Sequence, residues 1–440
     1  MGDETIVTEL DPSGELVARV GALDIAKASA MLCTRVPGSG KRKRQEVRKT
    51  GATTAAILEL ADHLVCQGIE LVVMESTSDY WRPFYYLLED RGLQCWLVNA
   101  RDVKNVPGRP KTDKLDAVWL AKLAERGMLR RSFVPPEPVR RLRDLTRARA
   151  VLAEDRTAFK ERIEKVLEDA QIKLSTVAAD IFGVSGRSML DALIAGERSP
   201  NTLADLARGS MRAKKADLAQ ALRGRFDGHH AYLIRLYLDN VDRLDTQIAD
   251  LTAHIEAALT ALAPAPRTDP APDGTVRMTL LDRLTEIPGI GRVSAQNILA
   301  ETGFDMNVFP SPGHLASWAK LTPRTIQSGA KNTTAGTGKG NPWLRRALGQ
   351  AAVSAGKSQS FLGSRYRRLV KRKPRKKAQV AIARNILEIV WYLVNDPDAR
   401  YIDLGPDWYD RRTDPERKTR DLVRQLERLG NTVTLTPASA

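Results

Sequence analysis

Cysteine and histidine are scarce in this chain of 440 residues, which contains three cysteines and five histidines. Cys33, Cys66 and Cys95 form no Cys-x-x-Cys pair and no His-Glu-x-x-His motif occurs, so a zinc site is not expected. Each cysteine has an apolar neighbour in the sequence. This usage predicts buried, reduced thiols in a cytoplasmic protein.

Long apolar runs are also missing, and so is a signal peptide, which argues against a membrane partner. The 69 lysines and arginines outnumber the 53 aspartates and glutamates, leaving a net charge of +16. The segment from Arg365 to Lys377 holds nine basic residues and no acidic one. An uneven basic charge favours a nucleic-acid partner over a merely solvated basic surface.

The hydrophobic pattern predicts an α/β part followed by an all-α part. Residues 1–16 are acidic and lack periodicity, so they are expected to be a tail. Between residues 17 and 139 the pattern predicts a strand hairpin, a helix over 53–67, the strand LVVMES, and helices over 80–91 and 113–126 around a strand over 93–98. This element order is that of a ribonuclease-H-like (RuvC-like) domain.

Residues 140–262 have apolar positions at steps of three and four, which predicts helices that form either an antiparallel pair or a dimerising coiled coil. The proline-rich residues 263–274 are expected to be a linker. Residues 275–398 predict a mainly α C-terminal domain with a helix-hairpin-helix-like element, and residues 399–440 a peripheral tail. At the hairpin, Gly289 and Gly291 would expose backbone N–H groups to a phosphate.

Four carboxylates stand at the ends of hydrophobic runs. Asp24 and Glu75 each end a predicted strand, and Asp113 and Asp116 lie three apart at the start of a helix. For Asp113 alone, an acidic residue that complements a helix N-terminus is the simpler interpretation. Together, four acids on separate elements predict a two-metal site for Mg²⁺, with Mn²⁺ as a substitute.

A polar, Gly-rich segment from Gln327 to Pro342 is expected to form a loop, followed by a basic helix that begins at Trp343. Ser328 lies in this loop near Lys331. On composition alone it is an ordinary turn serine, because no histidine is placed by the sequence to activate it.

Seven segments, taken in order, carry a resemblance to a known family: ALDIAK, VVMESTSDYW, LVNARDVKNVPGRPKTDKLDA, LDRLTEIPGIG, HLASWAKLTPR, QSGAK and KGNPWLRRAL. They resemble the DEDD-type transposases of the insertion-sequence 110 family, also described as bridge-RNA-guided recombinases. The resemblance implies an N-terminal domain like a Holliday-junction resolvase, a helical middle and a C-terminal transposase domain. It places the family's metal ligands on the same four carboxylates, and its catalytic serine on Ser328.

The resemblance implies a transposase of a mobile element that cuts and rejoins DNA through a serine–DNA link. Its implied partners are donor and target DNA, a non-coding bridge RNA and further copies of the chain, as a dimer or tetramer, in the prokaryotic cytoplasm near the nucleoid. Two alternatives stay open: a metal-dependent junction endonuclease in which the serine is idle, and a non-catalytic nucleic-acid-binding scaffold. The residues expected to contact nucleic acid are Gly289, Gly291, Lys331, Arg345, Arg346, Arg367, Arg368, Lys371, Arg372 and Lys373.

Overall fold

The structure is a computed structural model that describes residues 17–38, 43–76, 78–99, 113–262, 278–328, 331–412 and 414–436. It divides into two units, Met1–Pro135 and Pro136–Ala440. The expected acidic tail and the expected proline-rich linker lie outside the described residues. Within the described part, no helix is both long and apolar enough to cross a membrane.

A five-stranded sheet forms the first unit, in the order β3-β2-β1-β4-β5. The strands are β1 (Val20–Ile25), β2 (Ser29–Pro37), β3 (Lys43–Gly51), β4 (Leu71–Ser76) and β5 (Cys95–Val98). β2 is antiparallel to both β1 and β3, whereas β4 runs parallel to β1 and β5 parallel to β4. The predicted hairpin is therefore confirmed, and the basic segment after it is the edge strand β3.

Helices cover both faces of this sheet: α1 (Thr54–Cys66), α2 (Trp81–Asp90) and α3 (Asp113–Glu125). Leu23 of β1 and Met74 of β4 pack in one core beneath α1 and α2. Ala22 and Val73, one residue earlier on each strand, pack in a second core with α3. Because both faces are buried, β4 is apolar at nearly every position instead of alternating.

The second unit begins with two long helices, α4 (Glu137–Asp169) and α8 (Gly228–Leu262), joined through α5 (Val184–Ile194), α6 (Pro200–Asp205) and α7 (Lys215–Ala221). Arg149 of α4 hydrogen-bonds Thr252 of α8, whereas Asp169 at the other end of α4 contacts His230 near the start of α8. The two helices therefore run antiparallel and pair within one chain, which is one of the two arrangements that periodicity left open.

The remaining helices are α9 (Leu280–Thr285), α10 (Arg292–Thr302), α11 (Pro312–Trp318), α12 (Pro342–Lys357), α13 (Phe361–Val370), α14 (Arg375–Asn395), α15 (Trp408–Arg411) and α16 (Pro415–Arg428). α14 buries Ile382, Ile386 and Val390, as its apolar sequence predicts. The mixed α/β first part and the largely helical remainder are confirmed.

The prediction of a polar loop from Gln327 to Pro342 is wrong in part, because residues of this segment form a β-hairpin. Its strands are β6 (Arg324–Ser328) and β7 (Lys331–Ala335), which pair antiparallel. Thr325, Thr333 and Thr334 are β-branched residues that favour extended backbone even in a polar segment.

The thiols match the expectation only in part. Burial raises the pKa of Cys33 to about 11 and that of Cys95 to about 12, so both are unreactive near neutral pH. Cys95 is half-buried and Cys66 is exposed, contrary to the expectation of buried thiols. Cys66 lies in the last turn of α1 on the side away from the core. All three cysteines are free.

Candidate active site and nucleic-acid interface

Two of the four predicted carboxylates are neighbours in the sheet. In the parallel pairing of β1 and β4, Asp24 stands beside Glu75. Neighbouring strands lie about 4.8 Å apart, so the two backbones meet at the same level near the carboxyl ends of both strands. Both residues are half-buried.

The alternation of the strands shows which face these carboxylates occupy. Val20 and Ala22 precede Asp24 at steps of two, and Leu71 and Val73 precede Glu75 in the same way. All four of these apolar residues belong to the core beneath α3. Because side chains two apart on a strand share a face, Asp24 and Glu75 lie on the α3 side of the sheet.

The direction of α3 brings its first turns to the same edge. Glu125, at the end of α3, forms ion pairs with Arg35 at 3.1 Å and Lys43 at 2.6 Å. Arg35 pairs with Val20 at the opposite end of β1 from Asp24, so α3 runs antiparallel to β1. From Glu125 back to Asp116 the helix rises about 13 Å, and from Val20 to Asp24 the strand also advances about 13 Å.

Asp116 therefore lies at the level of Asp24 and Glu75, and it is half-buried. The side chain of Asp113, one turn earlier, lies outside the described residues. Among the side chains that the structure describes, no group of three or more His, Cys, Asp and Glu residues is placed to hold a metal ion. Asp24, Glu75 and Asp116 therefore do not by themselves form such a group.

Ser328 is the last residue of β6, and it pairs with Lys331 as the last pair of the hairpin before the connection. The side chains of both residues lie outside the described part of the structure. The hairpin places the backbone of Ser328 at the end of a two-stranded ribbon, which is a weakly stable element unless other parts of the fold hold it.

The base of this ribbon is held by close backbone contacts. At its entry, Lys320 adopts a left-handed backbone with φ of 55° after the end of α11. At its exit, Gly340 lies so close to α11 that a Cβ atom there would stand 2.4 Å from the Ala319 carbonyl oxygen. Only glycine allows this approach without displacing the backbone.

A buried carboxylate fixes the segment that follows the ribbon. Glu301, 1% exposed, accepts two hydrogen bonds of 2.8 Å from the Arg147 guanidinium. Its Oε2 also accepts a hydrogen bond of 2.6 Å from Asn341 Nδ2. Asn341 Oδ1 in turn accepts from the backbone N–H groups of Trp343 and Leu344, which caps α12.

Sequence reasoning missed this network because it joins residues far apart in the chain. One local signal was present in the sequence: Arg143 and Arg147 lie four apart on α4, so they share a face of that helix. On the same helix, the structure shows Arg149 to be 4% exposed. Arg149 donates hydrogen bonds to Gln296 Oε1 and Asn297 Oδ1, and burial lowers its pKa. Arginines on an inward face of a helix predict buried acceptors.

The helix-hairpin-helix glycines have different surroundings. Gly289 has a φ of 90°, and a Cβ atom there would stand 2.2 Å from the Ala351 carbonyl oxygen of α12, so this glycine serves packing. Gly291 is the N-cap residue of α10, and nothing lies within 4 Å of the position of its missing Cβ atom. Of the pair, Gly291 is the one open to a phosphate.

Some of the basic residues predicted to contact nucleic acid already interact with other residues of the chain, and others do not. Arg346 forms an ion pair with Glu154, Arg367 donates to the Ser358 carbonyl at 3.0 Å, and Arg368 lies 4.6 Å from the ring centre of Tyr409. Arg345 makes a long hydrogen bond of 3.4 Å to the Gly338 carbonyl. Of the predicted contact residues whose side chains the structure describes, Lys371, Arg372 and Lys373, just after α13, are exposed and make no side-chain hydrogen bond, ion pair or ring contact.

A small cavity of about 160 Å³ lies between α4, α10 and α12. Arg147 and Arg346 line it, with the Arg147 guanidinium 5.8 Å from the ring centre of Trp343. Both guanidinium charges are balanced by carboxylates, Glu301 and Glu154. The cavity therefore offers no uncompensated charge to an anion.

Comparison with known proteins gives two family matches on separate parts of the chain. Residues 21–172 match a DEDD-type transposase family of insertion sequence IS110, and residues 281–367 match the transposase IS116/IS110/IS902 family. Together the matches span more than half of the 440 residues.

Two pilin gene-inverting proteins are similar over part of their length. That of Moraxella lacunata is 32% identical over 166 residues, which are 37% of this chain and 45% of the relative. That of Moraxella bovis is 37% identical over 116 residues, 25% of this chain and 35% of the relative. The chain thus aligns with less than half the length of either protein.

Two solved structures of Thermus thermophilus RuvC also match, one of them in complex with a Holliday junction substrate. Each covers 26% of this chain and 99% of RuvC, at 14% and 16% identity and a TM-score of 0.20. That TM-score is too low to bear on fold or function.

Proposed function

We propose that this chain, which belongs to the DEDD transposases of the insertion-sequence 110 family, is a divalent-metal-dependent DNA recombinase with Ser328 as its nucleophile. The observation that carries the proposal is the pairing of Asp24 with Glu75 at the edge where α3 begins. Carboxylates from two strand ends and one helix start are oxygen donors of the kind that Mg²⁺ prefers.

Asp24, Glu75, Asp113 and Asp116 would hold the cations. Bound divalent ions would stabilise negative charge that develops on a phosphodiester during strand exchange. The donor set fits this role because it contains only carboxylates, and the side chains of Asp24, Glu75 and Asp116 are all half-buried. Half-burial restricts water while it leaves the edge open to a large substrate.

In the proposed reaction, the Ser328 hydroxyl oxygen bonds to a DNA phosphorus and the bond from that phosphorus to a deoxyribose oxygen breaks. The serine proton leaves to solvent, and the released deoxyribose oxygen takes up a proton. A deoxyribose hydroxyl of the partner DNA then reverses these steps and frees the serine. One phosphate ester replaces another at each step, so no external energy source is consumed.

The carboxylates belong to the first unit, and the ribbon of β6 and β7 that carries Ser328, called the serine ribbon, belongs to the second. We propose that both act on the same phosphate, within a homo-oligomer in which subunits share sites. A bridge RNA that pairs with donor and target DNA would supply the sequence specificity. The protein would then bind backbone and duplex shape, in keeping with its net charge of +16 and the unengaged cations at the end of α13.

The competing function is a metal-dependent junction endonuclease, favoured by the fact that the carboxylate edge lies wholly within the first unit. The variant Ser328→Ala separates the two functions. The recombinase loses strand cleavage and strand exchange in this variant, whereas the endonuclease keeps cleavage. Thr334→Ala, which removes a hydroxyl from the other strand of the ribbon, is the matched control and should stay active.

A further inference from the structure

The register of the sheet extends the carboxylate pair into a row that crosses four strands. Asp24 pairs with Glu75 on one side and with Met31 of β2 on the other. Met31 pairs in turn with Lys49 of the edge strand β3. Lys49 therefore stands at the level of the two carboxylates, two strand spacings or about 10 Å from Asp24.

Lys49 also lies on the same face of the sheet as the carboxylates. Val47, two residues earlier, packs with Met31 against the core beneath α3. Lys43, six residues earlier on the same face, forms an ion pair with Glu125 of α3, as this alternation requires. Arg44 is an odd number of residues from Lys49 and therefore lies on the opposite face of the sheet. Its partner Val36 packs against the core beneath α1 and α2.

The ammonium group of Lys49 is exposed, and no hydrogen bond or ion pair engages it within the described ranges. A second basic residue, Lys27, lies in a turn next to the end of β3. Lys27, in the turn between β1 and β2, is exposed and likewise unengaged in the described structure. The end of β3 reaches this turn, because Ala52 donates a backbone hydrogen bond of 3.2 Å to Ala28.

We propose that Lys49, assisted by Lys27, binds a DNA phosphate a few nucleotides from the one that reacts at the carboxylates, so that the strand runs from Asp24 across β2 to the sheet edge. This inference rests on the proposed function and adds the path of the substrate. At a rise of about 3.4 Å per nucleotide, 10 Å corresponds to about three nucleotides along a duplex axis. Lys49 is a positioning residue, because it would contact the DNA at a point distant from the reacting atoms.

Charged residues on an edge strand have another use, which is to prevent pairing with a second sheet. That use does not depend on the face, so Lys49 and Arg44 would serve it equally. A role in DNA binding depends on the face, because only the α3 side carries the carboxylates. The two residues are therefore a matched pair: both are exposed cations on one strand, on opposite faces.

The experiment measures binding of the full chain to a fluorescent four-way DNA junction, across a salt series, in a Ser328→Ala background. Lys49→Ala should weaken binding about fivefold and reduce the slope of log affinity against log salt by about one. Lys49→Arg should keep the affinity, and Arg44→Ala should change it less than twofold. Thermal melting of each variant checks that the fold is retained.

Equal effects of Lys49→Ala and Arg44→Ala would overturn the proposal, and so would an unchanged salt slope in Lys49→Ala. The outcome does not depend on the serine chemistry, because binding is measured where Ser328 is absent. In an otherwise wild-type chain, Lys49→Ala should raise the DNA concentration for half-maximal cleavage and leave the maximal rate unchanged. A lower maximal rate with unchanged DNA dependence would contradict the positioning role.

Discussion

The carboxylate edge and the serine ribbon are held in place by different means. Asp24 and Glu75 are fixed by the hydrogen-bond register of a five-stranded sheet with both faces covered. Ser328 ends one strand of a two-stranded ribbon, whose position depends on contacts at its base. A metal site needs several ligands at fixed spacing, which a sheet supplies, whereas a nucleophile on a two-stranded ribbon is positioned only if other parts of the fold hold the ribbon.

The largest effect is expected from the carboxylate edge. Asp24→Asn should lower strand cleavage by on the order of 10³-fold, because it removes a charged ligand from a site where metal ions stabilise the transition state. Single-turnover cleavage in Mg²⁺ measures this. Glu70→Gln, just before β4 at the other end of the sheet, is the control and should stay within twofold of wild type. Similar losses in both variants would show that Asp24 acts through stability.

The second largest effect is expected at Glu301, the buried carboxylate that holds the segment after the ribbon and is called the anchor below. Glu301→Gln leaves the Arg147 guanidinium without its carboxylate, and removing one partner of a buried ion pair costs about 3 kcal/mol. Urea unfolding should show this loss in the second unit, with DNA cleavage reduced in step. Glu161→Gln, an exposed change on the same long helix α4, should leave stability unchanged. An unaltered unfolding midpoint for Glu301→Gln would contradict the anchor.

The close approach at the exit of the ribbon can be tested alone. Gly340→Ala places a methyl group against the Ala319 carbonyl oxygen, and such overpacking costs about 2 kcal/mol. Thermal unfolding and formation of the serine–DNA link should both suffer. Gly336→Ala, where a Cβ atom would meet nothing within 4 Å, provides the comparison and should be silent. A stable Gly340→Ala variant would mean that the ribbon base can shift freely.

The smallest expected effect concerns the ion pairs that orient α3. Burial opposes the charged form of Glu125, but hydrogen bonds from Lys43 and Arg35 outweigh it and lower its pKa below the ordinary value. A lowered pKa adds stability above the unfolded-state value near 4.5, and that stability is lost as the pH falls through the folded-state value.

Glu125→Gln should therefore cost about 1 kcal/mol at neutral pH and flatten the acid limb of the stability curve. Urea unfolding at a series of pH values is the measurement. Glu59→Gln, an exposed change on α1, should leave the curve as it is. An unchanged acid limb for Glu125→Gln would mean that these ion pairs do not hold the end of α3.

How far the sequence predicts the molecule differs between the two regions. The strands that carry Asp24 and Glu75 could be predicted because buried central strands are continuous apolar runs. The edge strand β3 could not, since KRQEVRKTG is half-exposed and lacks an apolar period. The ribbon was predicted as a loop because its strands are polar and short, and Ser328 was found only through the family resemblance.

The anchor at Glu301 shows the other limit. Its partners Arg147 and Asn341 lie 154 and 40 residues away, and no local pattern fixes contacts at such separations. The side of the sheet that Lys49 occupies also needed the register, because a shift of one residue would turn it to the opposite face. Residue types at strand ends were predictable, whereas long-range pairings were not.

The most direct test of the recombinase is to trap the protein–DNA link and locate it. The full chain is incubated in Mg²⁺ with a nicked DNA substrate whose cleaved end diffuses away, then denatured and digested for mass spectrometry. The account predicts a nucleotide attached to the peptide that contains Ser328, and no such adduct in Asp24→Asn. Cleaved DNA without any adduct, or an adduct on another residue, would contradict it.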